Sequence, residues 1–480
     1  MKQLIACMLI AVAGTAMANV PLKIYKGDNR SDTVYSQKHY LVGVTSPEAK
    51  AKVNGTPVHV YKTGSFGAEI NLKKGENLIP VHLSCKKEKK DTTVRVFLAE
   101  RNKSAAAPEL TKTLEAPLFI TTLPGAYFQY GNGGDRLGGS KMNYIDADIN
   151  LTAVGETDYL YKVQLSQNNF AYIPKEYTKQ GGEGASVVNT GSASISNTGK
   201  SDRITLALPC RLPYWNRAEI DPQTIKVSVY GATNNTNWLT QRNDLGIIDF
   251  VDLQQNESDV LTLYIRLKDN YQWGYSIDYQ GNNLVIDVRH RPTSLNIKDL
   301  TIGLDAGHGG KYPGAWSPSG LSEKEVNLDI ILNVAKMLRD MGANVVLTRD
   351  GDTGPSMTER KEIWRKAGVD IALSVHNNSS GNPLKKMGTS AYYKHINNRA
   401  FADALHKSML SLGLENFGLT GNFNFSLNGP TEYPNALIEV LFMSSLPEEE
   451  LLADPEYRKT LASKIVEGLL NYLKEADSNR

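Results

Sequence analysis

The sequence predicts a multidomain chain in which all-β modules precede a C-terminal α/β domain, its mainly parallel sheet flanked by helices. Three observations carry this. At 480 residues the chain exceeds what one ordinary core accommodates, and such a length suggests about three or four domains. Up to residue 292, short apolar runs are separated by turn residues; from residue 295, strand-length apolar runs alternate with longer segments of helical period. That alternation marks βαβ units, whose ligands usually bind beyond the strand C-termini.

Residues 1–18 read as a cleavable export signal, with Lys2 as the positive end, 4–13 as the apolar core and Ala16-Met17-Ala18 as the cleavage site. The core is too short to span a bilayer, and no later segment has enough uninterrupted apolar residues. A periplasmic, or otherwise envelope or extracellular, location is expected. Too little apolar sequence precedes Cys7 for Leu4-Ile5-Ala6-Cys7 to be a lipoprotein box. Cys85 and Cys210 fall in segments assigned to different domains, and pairing needs close Cα atoms, so both are expected as buried, unpaired thiols. A net charge of +2 gives no case for nucleic acid or an anionic membrane as partner.

The first module spans 21–100, with strands expected at 38–44, 51–53, 58–61, 68–72, 78–83 and 93–98. Asn54-Gly55 is a hairpin turn, and strands at this spacing form a small sandwich. The segments Val53-Asn54-Gly55-Thr56-Pro57-Val58, Gly64-Ser65-Phe66 and Gly75-Glu76-Asn77-Leu78-Ile79 resemble bacterial immunoglobulin-like modules. The lysine-rich run 86–90 reads as a solvated hairpin tip, and Ala105-Ala106-Ala107-Pro108 as a linker. Residues 113–176 again show short strands; Asp135-Arg136-Leu137-Gly138, Tyr161-Lys162-Val163 and Phe170-Ala171-Tyr172-Ile173-Pro174 resemble an SH3-like barrel. The span 177–201 turns rich in Gly, Ser, Asn and Thr and is expected to be a flexible linker. Strands return over 202–292, which resembles the AMIN module preceding many wall amidases. Its aromatics Tyr214, Trp215, Trp238, Tyr271, Trp273 and Tyr275 are expected to pack rather than stack on sugars, because strands select aromatics anyway.

The α/β domain covers 297–475, with strands at 301–304, 344–347, 370–375, 389–393 and 436–442 and helices at 323–341, 357–367, 398–412 and 455–474. Its element ends gather the chemistry. His308 lies between glycines in Asp305-Ala306-Gly307-His308-Gly309-Gly310, where missing Cβ atoms let a ligand approach the imidazole. His376 follows an apolar strand within Ser374-Val375-His376-Asn377-Asn378. Glu439 sits inside the apolar run 436–442, and a carboxylate there is costly to bury without a purpose. Glu323 and Glu325, two positions apart on a helix, point to opposite sides. Ser322 and Glu325 fit a capping box, which leaves Glu323 free to turn toward His308. His308, Glu323 and His376 then form a three-ligand set with an open fourth position, as in a catalytic zinc site. Glu439 is the proton carrier, while Asp305 or Asn327 orients a ligand, Asp305 alternatively bracing the loop. The remaining histidines (His39, His59, His82, His395 and His406) are read as structural.

The blocks Leu304-Asp305-Ala306-Gly307-His308-Gly309-Gly310, Gly320-Leu321-Ser322-Glu323-Lys324-Glu325-Val326-Asn327-Leu328, Leu347-Thr348-Arg349-Asp350, Ser374-Val375-His376-Asn377-Asn378 and Leu437-Ile438-Glu439-Val440 resemble, in order and spacing, the zinc-dependent N-acetylmuramoyl-L-alanine amidases of the Amidase_3 type. The resemblance implies that His308, Glu323 and His376 hold Zn2+ and that Glu439 is catalytic. It further implies that peptidoglycan is the substrate, cut between N-acetylmuramic acid and L-alanine; a wall-localising or activator protein is a possible partner, and a monomer is expected. Ala306 replaces the usual proline, Phe425-Ser426-Leu427-Asn428 stands where relatives carry a Leu-Arg pair, and the short connection after His376 leaves little room for the inhibitory helix some relatives insert there. Two rival readings remain: a zinc carboxypeptidase acting on the stem peptide, and a catalytically silent wall-binding protein.

Overall fold

The computed structural model describes residues 20–26, 33–100, 110–135, 137–184, 186–379 and 381–478. The export signal and the linker at 105–108 lie outside the described residues. No helix among them is long and apolar enough to cross a membrane.

The N-terminal region is all β. Strands Lys38–Val44 and Ser65–Asn71 belong to a three-stranded sheet, and Gly75–Cys85 and Glu88–Leu98 to a five-stranded one. The two close over Leu41, Phe66, Ile79, Val81 and Val96. Lys86 adopts φ 54° at the tip between Cys85 and Glu88, so the lysine run is a hairpin turn there, continuing into the strand. The next seven-stranded antiparallel sheet includes Lys112–Thr122 and Thr178–Gln180 at its last two positions. Beyond it come a five-stranded and a four-stranded sheet, and their apolar residues merge with those of the seven-stranded sheet into one core. Cys85 and Cys210 are free, and both are half-buried rather than buried.

The span 177–201 differs from the flexible linker its composition suggests. Thr178–Gln180 is a strand, and Ala193–Asn197 pairs with both Ser201–Leu206 and Leu239–Gln241. Ala193 and Ile195 are buried, so small apolar residues at alternate positions make a strand face within a polar composition. Among the aromatics, Tyr214, Trp273 and Tyr275 are buried, whereas Trp238 is exposed.

The α/β domain comprises β1 (Thr301–Ala306), α1 (Glu323–Asp340), β2 (Asn344–Leu347), α2 (Met357–Ala367), β3 (Ile371–Asn378), β4 (Thr389–Tyr392), α3 (Arg399–Leu410), β5 (Asn416–Thr420), β6 (Asn435–Phe442), α4 (Leu446–Ala453) and α5 (Pro455–Ser478). The sheet order is β2-β1-β3-β6-β4-β5. The first four are parallel, while β4 runs antiparallel to β6 and parallel to β5. Strands β1 and β3 are almost wholly buried, as helices on both faces of a parallel sheet require. Helix α1 buries Val326, Ile330, Val334 and Leu338 along one face. Helix α2 starts with a complete capping box, Ser356 with Glu359, and ends at Gly368 with φ 62°.

The β modules are fastened to this domain. Arg289 donates to the Val369 carbonyl and pairs with Asp370, which in turn accepts from the Thr301 amide at the start of β1. Arg291 donates to the Ala476 carbonyl on α5. The first sandwich meets α4, where the Lys62 amide donates to Glu450 at 3.2 Å. No helix is present among the described residues of the loop between β3 and β4; there Leu384 lies against Gly67 of the first sandwich.

Candidate metal and catalytic site

Strand β1 delivers the chain into a turn where His308, Gly309 and Gly310 all have positive φ, 64°, 127° and 53°. A histidine in the left-handed region is strained, and such strain persists only where its surroundings over-determine it. Two buried arginines do so. Arg349 donates to the carbonyls of Ala306, Gly307, Lys324 and Gly351. Arg360 donates to the carbonyls of Ala306 and His308, the latter at 2.6 Å, and pairs with Asp305 at 2.6 Å. Asp305 also accepts from Thr348 and Ser374. Of the two roles open to Asp305, it fills that of loop brace and makes no contact with an imidazole. Burial opposes its ionisation, but the Arg360 charge and these hydrogen bonds outweigh it and hold its pKa below the ordinary aspartate value.

Glu323 opens α1 and is buried. Its Oε2 lies 3.1 Å from His308 Nε2, and its Oε1 3.1 Å from His376 Nδ1. The Ala315 amide donates to Oε2 at 2.9 Å; the Asn377 amide and Asn327 Nδ2 donate to Oε1 at 3.2 and 3.3 Å. Burial again opposes ionisation, yet the hydrogen bonds and charge of His376 and His308 hold this carboxyl far below its ordinary range. The ligand-type atoms of His308, Glu323 and His376 lie within 4.8 Å of one another, a group able to hold a metal ion. Asn327 also donates to the Gly307 carbonyl and accepts from Asn377, tying α1, β1 and β3 together behind the cluster.

The expected capping box at Ser322 does not form. Ser322 Oγ donates to Glu325 Oε2 at 2.6 Å instead of accepting a backbone N–H. Ser322 is wholly buried and its backbone is bridged to Trp316, so its hydroxyl finds the carboxylate first. Glu325 is thereby still held at Ser322, and Glu323 still faces the histidines.

Glu439 lies on β6 beside His376 of β3 in register. Laterally paired residues of parallel strands share a face, so both side chains leave the sheet on the same side. His376 itself lies within β3 rather than after it, with its ring 4.9 Å from that of His308 and edge-on to Phe425 at 5.0 Å. Phe425 precedes the short turn Ser426–Asn428, which brings its ring to the edge of the histidine pair. Two glycines admit the cluster: a Cβ on Gly307 would lie 2.3 Å from His376 ring atoms, and one on Gly314 2.4 Å from Glu323 Oε2. His395 and His406 are bonded to backbone carbonyls, and His82 pairs with Asp91. Arg360 escaped the sequence reading, because a charged residue amid the period of a polar helix gives no sign that it is buried; Arg349 entered it only as part of a matching block, with no role.

The N-acetylmuramoyl-L-alanine amidase family (Amidase_3) matches residues 302–471. The chain is 30% identical over 202 residues to the germination-specific N-acetylmuramoyl-L-alanine amidase of Bacillus subtilis, covering 84% of that protein and 38% of this one. The chain belongs to this amidase family. It is also 30% identical over 195 residues to a probable cell wall amidase, LytH, of Staphylococcus saprophyticus, spanning 65% of that protein's length and 40% of its own. Among solved structures, the amidase AmiC2 of Nostoc punctiforme shows 32% identity and a TM-score of 0.35, over 36% of this chain and 97% of that one. All of these matches leave more than half of this chain outside them.

Proposed function

We propose that the chain is a zinc-dependent N-acetylmuramoyl-L-alanine amidase of the cell envelope, hydrolysing the amide between N-acetylmuramic acid and L-alanine in peptidoglycan. The observation that carries this reading is the convergence of His308, Glu323 and His376, with Glu439 in register beside His376, in a family member. The donor set suits zinc: two imidazoles and one carboxylate, with the carboxylate already held ionised. Zinc bound there supplies Lewis-acid polarisation of the amide carbonyl and a lowered water pKa. Glu439 accepts the proton of the attacking water and returns it to the leaving nitrogen. Arg349 and Arg360 keep the His308 turn in its strained form, and Asn327 with the Asn377 amide fixes which way the Glu323 carboxylate faces. The exposed rings of Tyr312 and Trp316, on the loop joining His308 to α1, offer flat faces to the glycan.

The domain boundaries follow the same reading: a wall-directed assembly of β modules, 21–100, 113–176 and 202–292, ahead of a catalytic domain at 297–475. The span 177–201 is joined to its neighbours rather than slack.

Digesting purified peptidoglycan and weighing the products tests the activity. Intact stem peptides beginning with L-alanine are expected; release of single terminal amino acids would instead establish a carboxypeptidase. Removing metal with a chelator is expected to abolish turnover, and stoichiometric zinc to restore it. Gly307→Ala is expected to weaken zinc binding by about 10–100-fold, because its methyl group displaces His376. Competition against a chromophoric chelator measures that loss.

A further inference from the structure

Where the seven-stranded β module meets the catalytic domain, a pocket lined by Lys141 and Lys394 adjoins, at Tyr144, a cavity lined by Lys361. Lys141 stands on the β-module strand Lys141–Tyr144, Lys361 on α2, and Lys394 just after β4. None of them forms an ion pair among the described residues. Lys141 Nζ lies 4.2 Å from the centroid of the Tyr127 ring and 5.4 Å from that of Tyr144, whose other neighbour is Lys361 Nζ at 4.9 Å, so Tyr144 stands between the two ammonium groups in the chain of contacts. Lys394 donates to the Lys141 carbonyl at 2.7 Å, to Asn422 at 2.7 Å and to Asn424 at 3.2 Å, all neutral acceptors. It adds charge to the pocket and ties its wall together, leaving Lys141 and Lys361 with protons to donate.

Partly buried ammonium groups outside any ion pair are costly and cluster where an anion is meant to arrive. Burial, and then the charge of Lys141, pushes Lys394 down to about 8. Burial lowers Lys361 as well. The cavity beyond Tyr144, of about 600 Å³, is lined by Lys361 and Arg365 and by Asp146, Asp278 and Glu432. Glu432 is engaged by Arg365 at 2.5 Å. A lining of mixed charge disfavours polyanions such as phosphodiester chains and favours a short peptide bearing isolated carboxylates. The pocket is also close to the chemistry. Asn424, bonded to Lys394 and to the Gly139 carbonyl, is followed directly by Phe425, whose ring edges His376.

We propose that Lys141 and Lys361 form a carboxylate-binding subsite for the peptide portion of the substrate, with the β module supplying half of it. The proposal rests on the amidase reading for the substrate's identity.

The test uses the full chain carrying Glu439→Gln, so that binding is read without turnover. A muramyl-peptide fragment with free side-chain carboxylates is titrated calorimetrically, in parallel with the same fragment amidated and with inorganic phosphate. Adding Lys141→Gln and Lys361→Gln is expected to weaken binding of the acid fragment by about tenfold, in line with the loss of charged hydrogen bonds. The same pair should leave the amidated fragment unchanged, and Lys366→Gln on the same helix should change neither. Equal binding of acid and amidated fragments, undiminished binding in the lysine variants, or phosphate binding as tightly as the fragment would overturn the proposal. Failure of the amidase reading shows separately, as an otherwise intact chain that binds the fragment but releases no stem peptide from peptidoglycan.

Discussion

Glu439→Gln is expected to lower kcat by about 10²–10⁴ while leaving KM and zinc content nearly unchanged. Glutamine keeps the shape of the side chain and removes only its capacity to carry a proton. Strand β6 holds the position whatever the side chain, because its backbone pairs with β3 on one side and β4 on the other, and the Thr389 hydroxyl donates to the Glu439 carbonyl. Rates on peptidoglycan fragments and metal analysis of the same sample give the answer together. Turnover within twofold of the parent would remove Glu439 from the mechanism. A loss of zinc would make it a ligand instead.

Arg360→Ala is expected to destabilise the catalytic domain by about 3–5 kcal/mol, the usual cost of stripping one partner from a buried ion pair. Arg360 and Asp305 are both almost fully buried, so Asp305 would be left buried with only the Thr348 and Ser374 hydroxyls to compensate its charge, and the His308 carbonyl would lose its donor. Denaturant unfolding followed in the catalytic domain measures the loss. Replacing both residues, with Asp305→Ala and Arg360→Met, should cost less than the sum of the single changes, because no orphaned charge remains. A purely additive result would show that the pair is not coupled. The same pair gives acid sensitivity. With the pKa of Asp305 lowered on folding, its contribution is present above the unfolded value and lost as pH falls through the folded one.

Sequence reading singled out His308, His376 and Glu439 because each sits where an apolar run ends or is interrupted, and such interruptions need a reason; Glu323 was chosen by its place at a helix start. His308, Glu323 and His376 do converge, and Glu439 stands beside His376. The order of strands and helices was legible for the same reason, namely a change in hydrophobic period. What escaped it was burial that runs against residue type. Glu448 and Glu449 look like a solvated acidic run, yet both are buried on α4, and Glu448 accepts the amides of Met387, Gly388 and Phe442. Arg349 and Arg360 are likewise hidden by their charge. Strand β5 was missed because Gly418 interrupts a short, half-exposed segment at the sheet edge. The span 177–201 was misread because serine and asparagine on a strand's outer face look the same as in a loop.

The pairing of Ala193–Asn197 on both sides has a mechanical meaning. An enzyme tethered by slack chain searches a sphere and cuts whatever bond it meets. Here the joints are stitched, from the strand at 193–197 to the Arg289 clamp at the foot of β1. The β modules and the catalytic domain are therefore coupled through ordered backbone pairing and side-chain contacts rather than through a slack tether.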